Sequence, residues 1–126
     1  QAREFARLQQ LNQFLRAAIA ALPPGLCQLL SPADAIPHIL CLAFPGREGA
    51  IVTRWLAERK DILVGSGSAC SAESAESSHV LRAMGCSAAE ARSSLRISLG
   101  YASQQEDLEA FLAALPDLVT EYPLPG

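Results

Sequence analysis

Six consecutive residues, Ser94-Leu-Arg-Ile-Ser-Leu99, alternate polar and apolar without a break. Successive side chains of a strand point to opposite faces, so Leu95, Ile97 and Leu99 share one face and Ser94, Arg96 and Ser98 the other. Such a strand belongs to a sheet with one face buried and the other free to meet something else. A second run, His38 to Phe44, is apolar at nearly every position and is expected to be a strand covered on both faces. Two more short strands are expected at Leu26 to Leu30 and at Asp61 to Val64.

Between these runs the apolar spacing changes to three and four. Phe5, Leu8, Leu11, Leu15, Ala18, Ile19 and Leu22 make one amphipathic helix, stopped by Pro23-Pro24-Gly25. Ile51, Val52, Trp55 and Leu56 predict a second over about residues 48–59, after the Pro45-Gly46 turn. Ser78 to Met84 reads as a short helix closed by Gly85, and Ser87 with Glu90 has the spacing of a capping box. Ser103 with Glu106 repeats that spacing ahead of a last helix carrying Leu108, Phe111, Leu112, Leu115, Leu118 and Val119, which Pro116 is expected to kink or split. The fold expected is α+β: a small mixed sheet of about four strands with helices packed on one side.

At 126 residues, 50% hydrophobic and 18% charged, the composition is that of one globular domain. A net charge of −3 with no run of like charge argues against a nucleic-acid partner and against a polybasic membrane surface. No apolar stretch reaches the roughly twenty residues that a membrane helix needs. The first residue is Gln1, not Met, within what reads as a helix, which suggests a fragment. Four cysteines, Cys27, Cys41, Cys70 and Cys86, form no C-x-x-C, and reduced thiols in the cytoplasm are the expectation. Cys27 and Cys41 read as core residues and Cys86 as partly buried. Cys70 stands apart, in a Gly, Ser, Ala and Glu segment from 65 to 77 that reads as a long loop. A reactive thiol needs such access and a lowered pKa; a structural one needs neither. Arg96 among small hydroxyl residues has room for a bidentate grip on a carboxylate, or for an ordinary surface ion pair. His79 reads as a surface residue, and His38 heads a strand without an acidic or thiol partner nearby in sequence, so no metal site is expected.

Three motifs in order, Gly65-Ser-Gly-Ser-Ala-Cys70, Glu76-Ser-Ser-His-Val-Leu-Arg-Ala-Met-Gly85 and Ser94-Leu-Arg-Ile-Ser-Leu-Gly100, resemble the C-terminal part of NifS-like cysteine desulfurases. These are pyridoxal-phosphate enzymes of the class V aminotransferase type. The resemblance implies the small C-terminal domain of a fold-type I enzyme over residues 23–126, with residues 1–22 as the connector helix from a large domain. It implies Cys70 as the nucleophile that takes sulfur from L-cysteine as a persulfide, leaving L-alanine, and Arg96 as the residue that holds the substrate carboxylate. The cofactor's Schiff-base lysine, stacking histidine and phosphate loop belong to the large domain, so the chain alone is expected to be inactive. Lys60, the single lysine, has no matching context. A homodimer and a sulfur-acceptor or scaffold protein, serving iron-sulfur cluster assembly or another sulfur-transfer pathway, are the implied partners.

The sequence departs from the family pattern at Gly65, Ser77, His38 and Cys41, sparing Cys70 and Arg96. Glu73 and Glu76 would raise the Cys70 pKa if near it, so a slow thiol is expected in the isolated chain. Two other readings stand beside this one: a stand-alone sulfur-relay module without catalysis, and a lyase acting on selenocysteine or cystine.

Overall fold

The computed structural model describes residues 2–23, 25–31, 38–62, 65–66, 85–100 and 103–124. In chain order the elements are α1 (Ala2–Ala20), β1 (Gln28–Leu29), β2 (Ile39–Ala43), α2 (Gly49–Lys60), β3 (Gly65–Ser66), α3 (Ala88–Arg92), β4 (Ser94–Ser98) and α4 (Gln105–Glu121). The sheet runs β1-β2-β4-β3, and all three pairings are antiparallel. The mixed sheet expected from sequence is corrected in this respect. β2 and β3 do run parallel to each other, as a helix crossover requires, but β4 inserts between them and is antiparallel to both.

The alternation in β4 is realised. Leu95 and Ile97 are buried, and so are their neighbours Leu40 and Leu42 across the ladder. Leu8, Leu11, Leu15 and Ile19 of α1, Val52, Trp55 and Leu56 of α2, and Leu108, Phe111, Leu115 and Leu118 of α4 join them in one core. Three helices therefore cover one face of the sheet. At about 0.8 kcal/mol per buried CH₂, this shared face is the main source of stability.

Several expectations change in detail. β2 is covered on both faces only at its end: Leu40 and Leu42 are fully buried on the core side, while on the other side Ala43 is buried and Ile39 and Cys41 are half-exposed. Asp61 does not open a strand; it ends α2 in the left-handed conformation, φ 57°, with its N–H on the Leu56 carbonyl. The described strand begins at Gly65, and residues 63 and 64 lie outside the described residues. The last helix is capped one residue later than expected, by Gln104 with Asp107. Ser103 instead accepts from Gly100 N–H, 2.8 Å. Pro116 does not split α4, which runs on to Glu121. Proline removes one backbone donor, and Leu115 and Leu118, both fully buried, anchor the turn around it. Phe5, assigned to the apolar face of α1, is exposed and lies 6.3 Å from the His38 ring. The Ser87–Glu90 capping box is present with both of its hydrogen bonds.

Two contacts set where α2 begins. A Cβ on Gly49 would fall 1.7 Å from the Ser94 carbonyl oxygen, so only glycine lets the helix start this close to β4. The Glu48 N–H, left open at the helix start, donates to the Tyr122 hydroxyl at 3.0 Å. The buried Arg47 donates from Nε to the Tyr122 carbonyl at 2.7 Å and lies over its ring. The chain after α4 is thus strapped across the β2–α2 turn.

Candidate functional site

Residues directly opposite each other in neighbouring strands put their side chains on the same face. Cys41, Arg96 and Gly65 form one such row across β2, β4 and β3; Ile39 and Ser98 form the next. These rows lie on the face opposite the three helices. In the row beyond, Gln28, Ala43 and Ser94, the last two are buried where α3 folds back. Gln28 Nε2 donates to Glu90 Oε2 of α3 at 3.0 Å, and Ser94 Oγ donates to the Ala91 carbonyl at 2.6 Å. α3 therefore closes one end of this face, and among the described residues nothing covers the strip around Arg96, which is half-exposed.

Arg96 is half-exposed on the central strand and makes no hydrogen bond or ion pair among the described residues. It contrasts with Arg47 and with Arg7, which binds Glu4 and the carbonyls of Ser103 and Gly100. A rigid strand holds the Arg96 backbone, and Gly65 beside it contributes no side chain to crowd it. A guanidinium held this way presents its fork to a planar anion such as a carboxylate.

The three described thiols are held protonated at neutral pH. Burial pushes the Cys41 thiol up, outweighing the Ser31 hydroxyl and the Arg96 charge, which both pull it down. Burial also raises Cys86, with Glu90 and Cys41 acting in the same direction. Cys27 is pushed up to about 12 by burial, against the hydrogen bond from the Gln28 backbone. Cys41 is not a core residue, as its sequence suggested, but sits half-exposed opposite Arg96. The loop assigned to 65–77 is corrected at its start, where Gly65 and Ser66 pair with Arg96 and Leu95 as β3; the rest of it with Cys70, and the short helix assigned to 78–84 with His79, lie outside the described residues, so Arg96 is the assigned site residue whose surroundings are described. Cys41 as its neighbour was missed; only the cross-strand register reveals it.

Among the described residues no three His, Cys, Asp or Glu side chains gather as metal ligands. No described helix is long and apolar enough to cross a membrane. The single lysine, Lys60, is ion-paired with Asp117 and lies 5.7 Å from the centre of the Trp55 ring. It is held in the seam between α2 and α4, remote in role from Arg96, and offers no free amine for a Schiff base.

Comparison with known proteins gives these features a context. The model of the family described as aminotransferase class V matches residues 3–111. The chain is 47% identical over 117 residues to an IscS-like cysteine desulfurase of Mycobacterium tuberculosis (strain ATCC 25618 / H37Rv), covering 90% of this chain and 29% of that relative. It is 35% identical over 126 residues to a cysteine desulfurase of Rhodobacter capsulatus, covering 98% of this chain and 32% of the relative. A solved NifS-like protein superimposes with a TM-score of 0.76 at 21% identity, over 95% of this chain and 29% of its own. A NifS-like protein from Rickettsia africae ESF-5 gives 0.75 at 25% identity, over 94% and 29%. The chain thus spans about a third of the length of the relatives it matches, and its α+β fold is theirs. With the family match running over most of its length, the chain belongs to the class V aminotransferase family.

Proposed function

We propose that this chain is the sulfur-accepting and substrate-orienting part of a cysteine desulfurase. Arg96 carries the reading: an arginine without a partner among the described residues, on the open face of a rigid sheet, in a chain whose relatives include proteins named cysteine desulfurase. Arg96 binds the carboxylate of L-cysteine and fixes the direction in which its sulfur points. Cys70 takes that sulfur. The carbon–sulfur bond of the substrate breaks, a sulfur–sulfur bond forms on Cys70, and L-alanine leaves. One thiol proton goes to the alanine carbon, so no outside oxidant or reductant is consumed.

Orientation and transfer ask for different supports. Substrate alignment favours a strand, and a sulfur carrier that must reach an acceptor favours a loop, which is how the sequence beyond β3, as far as 77, reads. Such an enzyme uses pyridoxal phosphate as electron sink for the substrate. The described residues of this chain do not fit that group, since Lys60 is engaged elsewhere, so the cofactor falls to the rest of the parent protein. In this reading residues 1–22 connect to that larger domain and 23–126 form the small C-terminal domain of a cytoplasmic homodimer. A sulfur-acceptor or scaffold protein, as in iron-sulfur cluster assembly, then relieves Cys70 of its sulfur.

The test is made in the parent protein. Replacing Arg96→Ala removes a charged, forked hydrogen-bond donor worth about 1.5–3 kcal/mol, so kcat/KM for L-cysteine falls about 10- to 100-fold, mostly through KM. Arg96→Lys keeps the charge without the fork and recovers only part of the loss. Unchanged kinetics in Arg96→Ala would remove the assignment.

A further inference from the structure

A cleft of about 420 Å³ opens between the end of α2, the end of β4 and the first turns of α4. Ser98, in the row next to Arg96, lines it, while Arg96 and Cys41 do not. Ile97 on the core side of β4 and Leu99 just past its end border it, with Ile62, Leu108 and Phe111 completing an apolar floor. The volume is within the range of small-molecule sites.

The rim is charged, and its charges are not equally free. Lys60 is neutralised by Asp117 and rests over Trp55. Asp107 accepts the Gln104 N–H through one oxygen, 2.8 Å. The carboxylate of Asp61, exposed at the left-handed end of α2, makes no hydrogen bond or ion pair among the described residues. An apolar floor beneath a net negative rim selects a particular ligand chemistry. We propose that this cleft binds a small organic cation with an apolar body, its ammonium or guanidinium against Asp61 and Asp107 and its apolar part on Ile62, Leu99 and Phe111. The site is independent of the desulfurase reading.

Titration of the nitrogen-labelled chain, followed by NMR, tests it with three probes of one size: phenethylamine, phenethyl alcohol and phenylacetate. Phenethylamine should give saturable shifts at residues bordering the cleft at millimolar concentration, with the alcohol weaker and phenylacetate weakest. Asp61→Asn keeps a residue suited to the left-handed conformation and should weaken the amine about 5-fold, the scale of a partly screened ion pair. Ala110→Trp, at an exposed helical position on the rim, should abolish binding by filling the mouth. A blocked Phe-Arg dipeptide supplies the same chemistry from a protein: tighter binding of the dipeptide assigns the site to a partner's side chain, and tighter binding of the amine to a free metabolite. Phenylacetate or the alcohol binding as well as the amine, shifts scattered away from the cleft, or no effect of Asp61→Asn would each overturn the proposal.

Discussion

Arg96 and Cys41 face each other across the β2–β4 ladder, yet the surroundings give them opposite tasks. The guanidinium is half-exposed, while burial keeps the thiol beside it protonated and slow to attack. The three described thiols differ mainly in desolvation, and Cys27 carries the largest effect. In the folded chain maleimide should therefore label Cys27 last, as peptide mass spectrometry after short exposures would read; Cys27 reacting first would contradict the described burial. The same group links stability to alkali. Its folded pKa of about 12 lies above the ordinary 9.0, so its contribution is complete below pH 9.0 and is lost progressively between 9.0 and about 12. Denaturant midpoints should fall over that window, and less steeply in Cys27→Ala. At this scale much is legible in the sequence: the period of two in Ser94–Leu99 by itself places Arg96 on the face away from the core. Cys41 was misplaced because an apolar run carries no period, and only strand pairing shows which of its residues face outward.

Among the elements, α2 is the one held most tightly by named contacts. A methyl at Gly49 would collide with a backbone atom of β4, which cannot turn aside as a side chain can. Gly49→Ala should therefore cost about 3 kcal/mol or more, seen as a large drop in the denaturation midpoint with helix α2 and strand β4 affected together. Tyr122→Phe removes a single hydroxyl that accepts the Glu48 N–H, and should cost about 1 kcal/mol while leaving the fold intact. A Tyr122→Phe chain as stable as the original would show that water satisfies the helix start equally well. Helix existence was legible from apolar spacing, but these ends were not. Gln104, not Ser103, caps α4, because the Ser103 hydroxyl is taken by the Gly100 N–H and the box closes one residue on, at Asp107. Asp61 was read into a strand because nothing local marks a left-handed helix end when the residue there is not glycine.

For the whole molecule, one asymmetry organises the account: three helices share one face of the sheet, and among the described residues none covers the opposite face at Arg96, which is half-exposed. The one-sided sheet was legible because β4 alternates. The insertion of β4 between β2 and β3 was not, since strand order depends on pairings far apart in sequence. A chain that matches about a third of its relatives' length and carries its only lysine in a structural ion pair should have no desulfurase activity alone. In the parent protein the same residues should receive sulfur. The most direct test is mass spectrometry of the Cys70 peptide after brief incubation of the parent protein with L-cysteine, with sulfur acceptors left out. The account predicts a mass gain of one sulfur atom on Cys70, reversed by a thiol reductant and absent in Arg96→Ala under limiting substrate. Release of alanine without any sulfur on Cys70 would contradict it.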